Sequence, residues 1–214
     1  SVETLREKDE ADAVGGPVRP VLDESSSYLQ RAISIALNSP AASGSARFSG
    51  KSGYVTTVSF GAYWADVFEE NGDFDERFVR TQDYEMNYRI VKSGGRIFMN
   101  PAIVSYYYPR KSLTNLWRQY FQFGFWKTKV IKKYEEIISL RNLLPSIFLT
   151  GLLALGGLSF FAPEARYGLY SVIGIYLLIT SYFGFLSIRQ SGASLKRLFG
   201  VILAMITIHF GFGF

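Results

Sequence analysis

Three stretches without a formal charge, all in the last third of the chain, constrain its fold more than any other feature. Asn142 to Pro163 and Tyr167 to Ile188 contain no Asp, Glu, Lys or Arg, and a third such run extends from Leu198 to Phe214. A helix of about 22 residues is roughly 33 Å long, close to the thickness of a bilayer's hydrocarbon core. Membrane spans are therefore predicted at about 144–163, 167–188 and 198–214, which makes this a multi-pass integral membrane protein. Residues 1–141 carry nearly all the charge and read as a water-soluble part.

The 214 residues carry a net charge of +5, and its distribution argues against nucleic acid as a partner. Arg110, Lys111, Arg118, Lys127, Lys129, Lys132 and Lys133 precede the first run, while Arg189, Lys196 and Arg197 separate the second from the third. The short loop Glu164-Ala165-Arg166 is balanced. Basic loops stay on the cytoplasmic side, so the soluble part is expected there, at the cytoplasmic (inner) membrane. Anionic headgroups are the expected partner of these cations. With no cysteine, disulfides, thiolate metal sites and cysteine nucleophiles are excluded. The single histidine, His209, rules out a His-based metal cluster or a Ser-His triad in this chain; its place in the third run predicts a polar residue turned inward between spans. Gly151, Gly156 and Gly157 are expected to let helices pack closely.

Along the soluble part, helical and strand patterns alternate, which predicts an α/β domain. Val2 to Ala11 reads as the tail of a polar helix, and Ala13-Val14 as an extended segment ended by Gly15-Gly16-Pro17. Tyr28 to Asn38 puts Leu29, Ile33, Ala36 and Leu37 on one helical face. Ser39 to Gly53 reads as a loop, and Tyr54 to Phe60 as a strand. Gly61-Ala62 then turns into a short helix through Glu70. Gln82 to Ser93 is a helix closed by Gly94-Gly95, followed by strands at Arg96–Met99 and Ala102–Tyr108. Ser112 caps a long helix to Tyr134. The row Tyr106-Tyr107-Tyr108 reads as strand packing or as a sugar-stacking surface.

Two segments hold candidate chemistry. In Thr81-Gln82-Asp83-Tyr84-Glu85, Asp83 falls in the first turn of a helix, at the positive end of its dipole. A carboxylate there is able to take a proton from a hydroxyl group; it serves equally well as a helix cap. In Arg118 to Lys127, Trp117, Tyr120, Phe121 and Phe125 recur at helical spacing among cations, which suits a helix lying in the headgroup plane. Gly124 in mid-helix costs about 1 kcal/mol relative to Ala and so signals a close backbone approach or a break.

Strand–Gly-Ala–helix is followed by Gly72-x-Phe-Asp-Glu, Gln82-Asp-x-Glu-x-Asn-x-Arg, Gly94-Gly-Arg-Ile, Tyr107-Tyr-Pro-Arg, Arg118-Gln-Tyr-Phe-x-x-Gly-x-Trp-Lys, and then membrane spans. In that order, from about Ala13 to His209, the string resembles the C-terminal portion of family 2 glycosyltransferases, especially the bacterial succinoglycan-type enzymes of exopolysaccharide assembly. The resemblance implies the Rossmann-like GT-A fold, with residues 1–110 forming the C-terminal part of that domain. The N-terminal nucleotide-binding part would precede this chain, and both chain ends read as truncations. Residues 111–141 would form an interface helix and linker, and 142–214 the membrane region.

The resemblance also assigns roles. Asp83 matches the catalytic base of inverting transfer, with Gln82 in the place where many relatives carry Glu. Gly61 and Ala62 match the turn that shapes the acceptor pocket. Arg118, Tyr120 and Lys127 are candidate substrate-binding residues, the two cations for phosphate. The full Gln-x-x-Arg-Trp string of processive relatives is absent. No metal ligand is assigned: Asp9-Glu10-Ala11-Asp12 and Asp73-Phe74-Asp75 do not fit the Asp-x-Asp motif, so Mg²⁺ or Mn²⁺ is implied only for the full-length enzyme. The implied partners are a nucleotide-sugar donor such as a UDP-hexose and a polyprenyl-diphosphate-linked saccharide acceptor. A processive polysaccharide synthase and a polyprenyl-phosphate glycosyltransferase are alternatives on the same fold. A membrane-anchored binding module is the non-enzymatic one.

Overall fold

The computed structural model describes residues 1–8, 10–42, 51–135 and 143–214. The chain forms two compact units, one of Ser1–Val21 with Gly44–Tyr108 and one of Leu22–Ser43 with Pro109–Phe214.

The first unit is a mixed α/β structure. Helix α1 (Val2–Glu7) leads into strands β1 (Ala13–Gly15) and β2 (Val18–Pro20). After the excursion into the other unit come β3 (Gly53–Val55), β4 (Ala62–Tyr63), α3 (Ala65–Asn71), α4 (Gln82–Lys92), β5 (Ile97–Met99) and β6 (Ser105–Tyr107); to keep chain order, the helix Tyr28–Leu37 is α2. A four-stranded sheet runs β3-β5-β1-β4, with β1 and β5 parallel and the edge strands antiparallel to their neighbours. A separate parallel pair joins β2 to β6. Strand β1 is buried along its length, as a central strand covered on both faces should be. One apolar cluster packs Met86 and Ile90 of α4 and Val67 of α3 onto Ala13, Ile97 and Met99. Leu5, Ala11, Val14 and Phe98 form a second. Gly16 has no room for a side chain, since a Cβ there would meet the Ile103 carbonyl.

The strand expected over Tyr54–Phe60 is shorter than its β-branched composition predicts. Only Gly53–Val55 pairs with β5; Thr56 to Phe60 leaves the ladder. Phe60 has φ of 55°, and Gly61-Ala62 opens β4 rather than a tight turn into helix. The tyrosine row is not strand packing throughout, because Tyr106 and Tyr108 are exposed and only Tyr107 is drawn inward.

The second unit is helical. Helices α5 (Leu113–Tyr134), α6 (Leu144–Leu158), α7 (Pro163–Ser191) and α8 (Leu198–Gly213) pack with α2, and a short 3₁₀ turn, Leu195–Arg197, precedes α8. The sequence pattern places helix α2 with the soluble α/β domain; in the structure its Tyr28 hydroxyl donates to the Lys196 carbonyl and accepts from the Gly200 amide. Ser112 caps α5 as expected, accepting from the Asn115 amide.

Two helical segments, Pro163–Ser191 and Leu195–Gly213, are long and apolar enough to cross a membrane. The first expected span is shorter than predicted: α6 has 15 residues and ends at Leu158. Ala162 precedes Pro163, and a residue before proline is driven out of the helical region, so the chain turns there and restarts as α7. Arg166 caps the turn by donating to the Ser159 carbonyl.

Small residues do mediate close approach, at Gly124 as its mid-helix place suggests but not at the three glycines of the first apolar run. No described atom comes within 4 Å of a Cβ built at Gly151, Gly156 or Gly157. The close approaches lie at Gly124, where a Cβ would sit 2.5 Å from the Phe212 carbonyl oxygen, and at Gly211, against Trp117 and Tyr120. Gly124 thus lets α5 meet the backbone of α8 without a break in the helix. Gly124→Val is expected to lower stability by about 1–3 kcal/mol through overpacking, read as a fall in the thermal midpoint of the detergent-purified protein.

His209 is turned inward, as predicted. Its Nε2 lies 2.9 Å from the Ala41 carbonyl, which only accepts, so Nε2 carries the proton. In the neutral ring Nδ1 then accepts from the Tyr176 hydroxyl, 2.9 Å away.

Candidate functional site

Asp83 lies in the first unit, in the first turn of α4 and half-buried. It is not the helix cap: that position belongs to Thr81, whose side chain makes no capping bond. Asp83 Oδ1 accepts the Tyr84 amide at 2.8 Å, satisfying one of the orphan donors of the first turn. Among the described residues Oδ2 has no hydrogen bond. Gln82, immediately before it, is exposed.

The segment that contains Gly61 and Ala62 continues into Tyr63, which lies close enough to Asp83 to feel its charge. Tyr63 of β4 is largely buried, ringed by Phe68 and Phe74 with centroids 5.8 and 6.0 Å away. This gives the Gly72-x-Phe-Asp-Glu motif a physical role: Gly72 at φ 74° ends α3, and Phe74 folds back onto Tyr63. Burial first, and the negative charge of Asp83 second, push the Tyr63 phenol up to about 12. A Cβ on Gly61 would lie 2.9 Å from Tyr63 Cζ and from its hydroxyl, so glycine is needed for the backbone to lie along the ring. Gly61 and Asp83 are thus brought to the same tyrosine.

Backbone strain flanks both segments. Phe60 (φ 55°) and Thr81 (φ 65°) are the only described non-glycine residues of this unit in the left-handed region. For bulky or β-branched residues such a conformation is a genuine outlier, and strain of this kind clusters at ligand sites. Phe60 is 67% exposed, so no packing repays it. Phe60→Gly is expected to be more stable than Phe60→Ala by about 1 kcal/mol, because only glycine relieves the left-handed strain. Paired thermal melts of the two variants check this.

The remaining candidates lie in the second unit, on α5. Tyr120 is buried, edge-on to Phe123 at 5.5 Å and against Gly211, so its visible role is packing. Lys127 is half-buried, with its ammonium 5.3 Å from the Phe212 ring centre. Arg118 is exposed. With Phe121, Phe125, Lys129 and Lys132, all exposed, it marks the helix face opposite Leu116, Tyr120, Gly124 and Val130. Lys129 covers the Phe125 and Trp126 rings at 4.8 and 4.4 Å.

For a divalent cation the described residues offer no fit: no three of their His, Asp or Glu side chains cluster around one point. Asp12 is engaged otherwise, accepting the Arg96 amide at 2.6 Å.

Sequence reasoning missed Asn87. It is fully buried on α4, one turn beyond Asp83. Nothing in a lone mid-helix asparagine signals this, although it is the Asn of the Gln-Asp-x-Glu-x-Asn-x-Arg string.

An α/β unit with a half-buried carboxylate at a helix start, in one chain with helices of membrane-spanning length, matches the class of membrane-attached glycosyltransferases that the motif string resembles. Comparison with known proteins gives that class its relatives. The chain is 31% identical over 156 residues to the dolichyl N-acetyl-alpha-D-glucosaminyl phosphate 3-beta-D-2,3-diacetamido-2,3-dideoxy-beta-D-glucuronosyltransferase of Methanococcus voltae, covering 69% of this chain and 48% of that protein. It is 38% identical over 80 residues to the succinoglycan biosynthesis protein ExoA of Rhizobium meliloti (strain 1021), covering 37% of this chain and 24% of that one. No family model matches. The resemblance carried by the motif string is thus one of homology, and the chain spans about half the length of the first relative and about a quarter of the second.

Proposed function

We propose that this chain is the C-terminal part of an inverting family 2 glycosyltransferase of the GT-A fold. It transfers a hexose from a nucleotide-diphosphate sugar, a UDP-hexose, to a polyprenyl-diphosphate-linked saccharide during exopolysaccharide assembly. The observation that carries this reading is the Asp83 carboxylate, half-buried in the first turn of α4, with Oδ2 making no hydrogen bond among the described residues and its charge felt by Tyr63, against which Gly61 folds. An acceptor hydroxyl attacks the anomeric carbon in line, the bond from that carbon to the diphosphate oxygen breaks, and the diphosphate leaves with the electron pair. Asp83 takes the hydroxyl proton, so no covalent intermediate is needed. Mg²⁺ or Mn²⁺ belongs to this reading as a group of the longer enzyme, where it would offset charge on the departing diphosphate.

The protein sits in the inner membrane as a multi-pass protein with its catalytic part cytoplasmic. Support comes from the basic segments and from the outward-facing apolar surface of α7, where only 22% of the most apolar window is buried. Arg118 and Lys127 would hold phosphate of donor or acceptor from α5. A lipid-linked acceptor suits the relative that acts on a dolichyl sugar phosphate. Confinement at the bilayer surface would concentrate such an acceptor.

The test uses membranes containing the whole protein, radiolabelled UDP-hexoses and a lipid-linked saccharide. Label recovered in the lipid extract as one added hexose is expected. A long water-soluble polymer would indicate a processive synthase, and a single-sugar polyprenyl phosphate the other enzymatic alternative. No transfer from any nucleotide sugar would leave a binding module and end the transferase reading.

A further inference from the structure

Asn87 lies four residues after Asp83 on α4, and so on the same helical face. Its carboxamide orientation is fixed by chemistry. The Val58 carbonyl only accepts, so the group 2.7 Å from it must be Nδ2. Nδ2 also donates to Thr57 Oγ1 at 3.0 Å, and Oδ1 accepts from the Tyr63 hydroxyl at 3.2 Å. One fully buried amide therefore grips both ends of residues 57–63. Between those ends only Ala62–Tyr63 has a ladder partner, and the left-handed Phe60 would gain by relaxing to an extended backbone, so the segment needs a hold from outside it. The Tyr63 phenol stays protonated across the physiological range and so remains a donor. It also abuts Gly61, which makes the chain Asn87–Tyr63–Gly61 continuous.

We infer that Asn87 is a positioning residue: it holds residues 57–63, with Gly61 and Ala62, in register with the helix turn that carries Asp83, and thereby sets where an acceptor sugar meets that carboxylate. The inference rests on the transferase reading of the site. Its structural half, the lock on residues 57–63, stands apart from that reading.

Two nearly isosteric variants weaken the lock without emptying the core: Tyr63→Phe removes the donor to Oδ1, and Thr57→Val removes one acceptor of Nδ2. Thr57→Ser keeps the hydroxyl and serves as the rescue. In the whole protein, amide hydrogen exchange within residues 56–62 is expected to quicken at least about fivefold in both variants, roughly the loss of one hydrogen bond. Exchange in β1 and β5 should be unchanged. The acceptor KM is expected to rise roughly five- to tenfold with the donor KM unaltered, and Thr57→Ser to behave as wild type. Unchanged exchange in 56–62 would overturn the lock. Faster exchange with unaltered acceptor KM and kcat would overturn the positioning role and leave Asn87 a core residue. If the wild-type protein transfers no sugar, the transferase reading and the positioning role fall together, while the exchange arm still decides the lock.

Discussion

Asp83→Asn in the whole protein lowers turnover at least about 100-fold, the range a general base typically supplies. Asparagine keeps the size of the side chain and an oxygen for the Tyr84 amide, so α4 keeps its first-turn hydrogen bond. What disappears is the site able to take the acceptor's proton. Membrane insertion and binding of the nucleotide sugar are expected to stay normal, since neither draws on that proton transfer. Steady-state kinetics with separate donor-binding measurements check this. Near-normal turnover would remove Asp83 from its role and leave its bond to Tyr84 as its whole function.

Arg89→Met is expected to cost about 3–5 kcal/mol of stability, the range for removing one partner of a buried ion pair. Glu85 is fully buried, and Arg89 bonds its Oε2 through Nη2 at 3.0 Å and Nε at 3.2 Å. The same guanidinium also donates to the carbonyls of Asn71, Gly72 and Asp73, closing the end of α3. Methionine fills the space of the stem and supplies none of these donors. Denaturant unfolding reads the loss, and adding Glu85→Gln should recover part of it.

The sequence was most legible where local signals agreed with packing. Helix α4 ends where Gly94-Gly95 predicts, and α5 begins at the Ser112 cap. The mid-helix glycine of α5 pointed correctly to a close approach, although its partner, the Phe212 carbonyl, lies 88 residues away and leaves no local trace. Legibility failed where a distant contact overrides local preference. Thr56 to Phe60 is β-branched and aromatic, yet Asn87 draws Thr57 and Val58 out of the ladder. Helix α2 shows an amphipathic face, but nothing in that face says its partner is an apolar helix reached through Tyr28 and Gly200, 172 residues apart. The first membrane run is uncharged through Pro163, so hydropathy could not see the turn that proline imposes after Leu158.

At the candidate site, Asp83 and Gly61 stand out through their motifs, whereas Tyr63, which lies against Gly61 and feels the charge of Asp83, does not. Tyr120 is a candidate substrate contact by its place in the motif string alone; in the structure it is buried against α8, a contact the string does not show. Asn87 went unremarked because its importance comes from the backbone of another segment, which a one-dimensional pattern does not encode.

The account depends on a single displacement at the sugar's anomeric carbon, with Asp83 as base. The most direct measurement is the configuration of the new glycosidic bond, read from the anomeric proton coupling of lipid-linked product made from an α-linked UDP-hexose. Inversion at Asp83 requires a β linkage; an α linkage would mean that the displacement is not single.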